Sequence, residues 1–156
     1  MALNLLAVGT RMPAWVSEGV NEYSKRMPTE LALNWREVKT EPRQKGGSVA
    51  QCLQREAARL QAGIPKQSHV VLLDERGRQC TTEKLSAHLA RWQGLGTPIT
   101  IIIGGPDGVD PTIKQAAHET LRLSDLTLPH PIVRVLLAEQ LYRAWSILTN
   151  HPYHRA

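Results

Sequence analysis

The stretch NHPYHR (150–155) places Tyr153, His154 and Arg155 side by side. They supply a flat aromatic face, a group that titrates near neutral pH and a permanent cation with a planar donor fork. Such a trio could stack on a flat ring, move one proton and hold a phosphate or carbonyl oxygen, or it could be no more than a disordered terminus. Pro152 stiffens the stretch. His151 and His154 could share a metal, but no third ligand accompanies them, and no metal is expected. The stretch IIIGGPDG (101–108) carries a different kind of chemistry. An apolar run stops at Gly104 and Gly105, where the backbone lies bare. A phosphate loop would need GxxxxGK[ST], and neither the lysine nor the hydroxyl follows. GGPDG does not match the dinucleotide fingerprint GxGxxG. Two readings stay open: glycines that let a flat ligand approach backbone N–H and C=O groups, and a plain strand-to-helix turn.

Other polar residues divide in the same way. Glu139 lies within an apolar run, four residues before Arg143, in the favourable acid-first order of a helical ion pair. That pair is preferred to a catalytic carboxylate. His130, between Pro129 and Pro131, reads as structural. Arg134 and Arg143 could equally be interface residues. Arg11, Lys25, Arg26, Arg43 and Lys45 are either phosphate contacts or a solvated basic face. Cys52 and Cys80 have no paired spacing, which fits reduced thiols in a cytoplasmic protein.

These residues need elements to hold them. LNLLAV (3–8), LALNWREV (31–38), HVVLL (69–73), TPITIIIGG (97–105) and LRLS (121–124) read as strands. The first of these is read as structure and not as a signal peptide. Helical spacing recurs at Trp15, Val16, Val20 and Tyr23. Further helices are predicted over 49–62, capped by Ser48 with Gln51 and stopped by Gly63; over 82–92; from Asp110–Pro111 to about His118; and from Ile132 to about Leu148. Residues 39–48 read as a mobile basic loop. Strands alternating with helices, with apolar inner strands, predict an α/β fold with a parallel sheet covered on both faces. The length of 156 residues fits one domain over 1–156. Hydrophobic residues make up 42% of the chain, and no run is long enough to span a membrane. The net charge of +5 favours polyanionic partners. In such sheets ligands bind beyond the carboxyl ends of the strands. Gly104 and Gly105, the end of 69–73 and the proline-stiffened LSDLTLPHP together predict a small apolar pocket there.

IIIGGPDG, LSDLTLPHPIVRVLLAEQLYRAW and the terminal NHPYHR, in that order and with AVGTRMPAW near the start, resemble the SPOUT class of RNA methyltransferases. Within that class they are similar to the enzymes that methylate N3 of a pseudouridine in 23S ribosomal RNA. The similarity covers essentially the whole chain. It implies a Rossmann-like sheet with a C-terminal trefoil knot, a rare exception to unknotted topology. It also implies S-adenosyl-L-methionine as cofactor and a homodimer. The implied pocket residues are Leu73, Gly104, Gly105, Leu123, Ser124, Asp125, Leu126, Thr127 and Leu128. Beside this resemblance, Tyr153, His154 and Arg155 are the candidate catalytic residues, and the assembled ribosome is the expected substrate particle. A SPOUT enzyme acting on tRNA, and a non-catalytic RNA-binding knot protein, are the alternatives.

Overall fold

A computed structural model describes residues 3–155; Met1, Ala2 and Ala156, the extreme ends of the expected 1–156 domain, lie outside the described residues. The elements run β1 (Leu3–Val8), α1 (Ala14–Ser24), β2 (Leu33–Val38), α2 (Val49–Gly63), β3 (His69–Gln79), α3 (Thr82–Gln93), β4 (Ile99–Ile103), α4 (Pro111–Ala116), β5 (Glu119–Arg122) and α5 (His130–Leu148). Single 3₁₀ turns cover Thr29–Leu31 and Pro152–His154. Five parallel strands lie in the order β2-β1-β4-β3-β5.

Strand alternation distributes the apolar residues to both faces. Leu3, Leu5, Ala7, Ile99, Ile101 and Ile103 join the core formed with α3 and α5. Leu6, Val8, Leu72 and Ile102 join the core formed with α2 and α4. The side-chain oxygens of Ser48, Thr81 and Asp110 accept the N–H of Gln51, Lys84 and Thr112, which fixes where α2, α3 and α4 begin.

Several boundaries differ from the sequence reading. Leu31 belongs to the 3₁₀ turn after Pro28, so β2 starts two residues late. β4 is trimmed to Ile99–Ile103, leaving Gly104 and Gly105 beyond the strand. β5 is Glu119–Arg122, which frees Leu123 and Ser124 for the following loop. α5 begins at His130, because Pro131 fits its first turn. The largest difference is β3, which continues past Leu73 to Gln79. Its register with β5 shifts between Leu73 and Arg78. A Cβ on Gly77 would come within 2.7 Å of the Leu121 backbone, so the two strands close again only over a glycine. The bulge throws Asp74, Glu75 and Arg76 towards the carboxyl ends of the neighbouring strands. From edge strand β5 the chain returns across those ends to begin α5 beside Gly104; the expected knot would belong to this return.

Candidate functional site

The carboxyl ends of β3, β4 and β5 enclose a cleft of about 770 Å³, within the usual range for small-molecule sites. Its walls are Leu73 and the β3 bulge, Gly104 to Val109 after β4, and the return loop from Leu123 to Pro131. Of the residues expected to form a pocket, Leu73, Gly104, Gly105, Leu123, Ser124, Leu126, Thr127 and Leu128 all line it. Asp125 does not: it is exposed and paired with Arg122 Nη2 at 2.9 Å. The Ser124 hydroxyl accepts the Leu126 N–H at 2.9 Å, which bends the loop and leaves Leu126 73% exposed.

The glycines have separate reasons. A Cβ on Gly104 would lie 2.9 Å from Val109 Cγ1 and 3.1 Å from the Gly108 backbone, so the turn itself forbids a side chain. A Cβ on Gly105 would instead meet Val8 Cγ1 at 3.3 Å. Gly108 has φ +80° and open space around it. Its N–H donates to the Gly105 carbonyl at 3.0 Å and closes the loop.

His130 lines the cleft and is joined to it by a network absent from the sequence reading. Arg134 Nε lies 2.8 Å from His130 Nε2, and His130 Nδ1 lies 2.7 Å from the Gly104 carbonyl oxygen. The Arg134 guanidinium, 3% exposed, also donates to the Glu37 carboxylate and to the Gly9 carbonyl at 2.7 Å. Burial, followed by the charge of Arg134, pushes the His130 pKa down. One signal in the sequence pointed here: an arginine four residues after a histidine, on a helix apolar nearly all round, must find buried acceptors.

The tail folds back on its own helix. Tyr153 Oη donates to Glu139 Oε2 at 2.7 Å, and Arg143 Nη2 donates to the same oxygen at 2.7 Å. The Glu139–Arg143 pair expected from spacing therefore forms, and Tyr153 is added to it. Arg143 also donates to the His154 carbonyl at 3.1 Å. The Tyr153 ring lies 4.6 Å from that of Tyr142, with Arg143 Cζ 4.8 Å from its centre. In this arrangement its stacking surface is already in use. Burial, then the bond to Glu139, raises the Tyr153 pKa. Burial works against the charge on Glu139, but Arg143 and Tyr153 outweigh it and hold that carboxyl below its ordinary value. His154 and Arg155 line a second, smaller hollow with Thr82, Gln140 and Arg143, and His154 Nδ1 is buried there without a partner among the described residues. Glu139 and Arg143 stand nine and thirteen residues after His130, so the docked tail lies roughly 14–20 Å along α5 from the His130 end at 1.5 Å per residue.

The candidate basic set is divided. Lys25 and Arg26 pair with Glu22. Arg43 bridges Glu56 and Asp107, which pins the basic loop to the GGPDG turn, so that loop is tethered and not free. Arg11 and Lys45 are exposed. Among the described residues no cluster of three His, Cys, Asp or Glu side chains could hold a metal, and no helix is long and apolar enough to cross a membrane.

A family model described as "Predicted SPOUT methyltransferase" matches residues 1–154. The chain belongs to the SPOUT methyltransferase family. Among its relatives, the ribosomal RNA large subunit methyltransferase H of Cupriavidus metallidurans is 55% identical over 159 residues, covering both chains fully. The protein of the same name from Bordetella avium is 53% identical over 156 residues, again with full coverage of both. A probable methylase family protein from Haemophilus influenzae Rd KW20 has a similar structure, with TM-score 0.55 and 13% identity, over 95% of this chain and 68% of that one. That likeness concerns the fold alone. Membership of the SPOUT family agrees with the parallel α/β sheet and the cleft at its carboxyl edge.

Proposed function

We propose that this chain is a homodimeric methyltransferase that uses S-adenosyl-L-methionine to methylate N3 of a pseudouridine in 23S ribosomal RNA on the assembled ribosome. Full-length identity of 53–55% to proteins named ribosomal RNA large subunit methyltransferase H carries the reading. The cleft suits the cofactor: apolar Leu73, Leu123 and Leu128 can flank a flat ring, bare Gly104 and Gly105 offer backbone polar groups, and Glu75 can face cationic groups while Asp74 is held by Lys114. When bound, the cofactor supplies an activated methyl group. The protein must then align the base, for which positioning can contribute about 7–11 kcal/mol, and must accommodate loss of the N3 proton.

Both ring nitrogens of His130 are occupied by other partners, so it is no base. Of the tail residues, His154 and Arg155 are the ones left to meet RNA, because the Tyr153 ring packs on Tyr142 and Arg143, and none of the three lines its own cleft. α5 leaves Ile132 exposed in its first turn, and Trp15 on α1 is 55% exposed. A twofold partner packed on this surface would bring each tail to the other subunit's cleft. The decisive test is methylation with labelled cofactor against 70S ribosomes, separate subunits, free rRNA and tRNA. Modification of tRNA but not ribosomes would overturn the substrate. A heterodimer of one tail-deleted and one cleft-dead subunit should recover activity; none, with heterodimers verified, would overturn the shared site.

A further inference from the structure

The segment joining Glu37, Arg134, His130 and Gly104 serves neither base recognition nor methyl transfer directly, yet it ends on the cleft wall. We propose that Arg134 and His130 are positioning residues that lock the Gly104–Gly105 peptide for cofactor binding, and that protonation of His130 releases the lock. This rests on the cofactor reading of the cleft.

Hydrogen-bond valence fixes the tautomer. A guanidinium can only donate, so His130 Nε2 must accept from Arg134 Nε. The ring proton is then on Nδ1, which donates to the Gly104 carbonyl at 2.7 Å. Arg134 is in turn immobile. It is buried among the Glu37 carboxylate at the end of β2 and the Gly9 carbonyl after β1. Gly9 has φ +123°, and a Cβ there would fall 3.3 Å from Arg134 Nη2, so a glycine makes room for the guanidinium. One side chain therefore ties the ends of β1 and β2 to the turn after β4. Because a trans peptide is planar, holding the Gly104 C=O also fixes the direction of the Gly105 N–H. Both glycines line the cleft.

The lock depends on a neutral ring. An imidazolium has no acceptor, so Arg134 Nε would face an N–H⁺ of like charge. The charged groups that act on His130 are Arg134 on its own helix and Glu37 from β2; from the β4 side it meets the Gly104 carbonyl. Burial and Arg134 oppose the second proton, whereas Glu37 and the carbonyl favour it.

The test is calorimetric titration of the full chain with S-adenosylhomocysteine between pH 5 and 8, with melting curves as a check of folding. Wild-type affinity should be flat above the ordinary histidine range and fall on acidification below it, by roughly tenfold, the scale of one lost hydrogen bond in a buried site. His130→Gln keeps one donor and one acceptor without titrating, so it should bind nearly as wild type at pH 8 and lose the acid dependence. His130→Leu and Arg134→Lys should each bind roughly tenfold more weakly at pH 8. Nitrogen-detected NMR of the ligand-free protein should show His130 as the Nδ1–H tautomer at pH 7. An Nε2–H tautomer, a leucine variant that binds as wild type, or an acid dependence retained by His130→Gln would each overturn the lock. Wild-type protein that binds no probe at pH 8 would instead overturn the cofactor reading, and the lock's role with it.

Discussion

Replacing Glu139 with alanine should undock the tail while leaving the cleft untouched. Glu139 Oε2 accepts from Tyr153 Oη and Arg143 Nη2, each at 2.7 Å, and from Arg143 Nε at 3.1 Å. The Glu139–Arg143 pair lies within α5, so breaking it frees the arginine but releases no part of the tail directly. The half-buried phenol on a carboxylate contributes about 1.5 kcal/mol to docking. Its loss shifts the docked-to-free ratio by roughly tenfold. The Tyr153 N–H, which donates to His151 Nδ1 at 3.2 Å, is the natural probe. Its hydrogen exchange should accelerate by about that factor while exchange in β4 stays unchanged. Affinity for S-adenosylhomocysteine should be unaltered, since Glu139 does not line the cleft, and ribosome methylation should fall at least tenfold. Unchanged exchange at Tyr153 would refute the energetic argument. Fast exchange with full methylation would refute any role of a docked tail in catalysis.

Glu119 gives a pH prediction. Burial opposes its charge, but hydrogen bonds from His69, Arg91 and Trp92 prevail and bring it from 4.5 to about 2. Its folded pKa is depressed, so the stability it contributes is present above pH 4.5 and disappears as pH falls through 2. Denaturant melts of Glu119→Gln should show a deficit on the order of 3 kcal/mol at pH 7 that narrows between pH 4.5 and 2; a constant deficit would contradict it. Gly77→Ala should destabilise by about 3 kcal/mol or more, because its Cβ would strike the Leu121 backbone at 2.7 Å; wild-type thermal stability would show that β3 and β5 are not held so close. Gly105→Val should weaken cofactor affinity in calorimetry and also lower the melting temperature, because its Cβ meets buried Val8; an unaltered melting temperature would refute the contact. Light scattering at micromolar concentration should give the mass of a dimer, and a monomer would contradict the proposed interface.

The parallel sheet was legible because its inner strands are uninterrupted apolar runs, and ITIII is buried throughout. The caps at Ser48 and Asp110 were legible because the side chain that starts the helix is next to it in sequence. What escaped were features decided by distant partners. The apolar run ends at Leu73, and the strand predicted from it ends there too, yet the backbone of DERGRQ returns to pair with β5 after the bulge, where Gly77 lies against Leu121. The lining of the cleft was legible as a segment but not residue by residue. Asp125 looked equivalent to its neighbours, and its pairing with Arg122 turns it outward. The two partners that fix Arg134, Glu37 and Gly9, are 97 and 125 residues away, beyond any local pattern.

One helix connects the two halves of the proposed site. The first turn of α5 carries His130 and Arg134 against the cleft, and its last turns carry Arg143 and the tail. Between them Leu137, Ala138 and Leu141 are buried in the same core as Ile101 and Ile103 of β4. The helix therefore cannot slide relative to the sheet without dragging both the Gly104 carbonyl and Tyr153. Docked against Glu139 and Arg143 in the second half of α5, the tail stops short of its own cleft. In a twofold dimer packed along α5, however, that same rigidity becomes an advantage: the geometry of each composite site is set by one helix-to-helix contact, and the distance from lock to tail is fixed within each subunit. Loosening the α5 contact should then cost base alignment before it costs cofactor binding. Tail placement depends on both helices at once, whereas the lock at Arg134 depends on one.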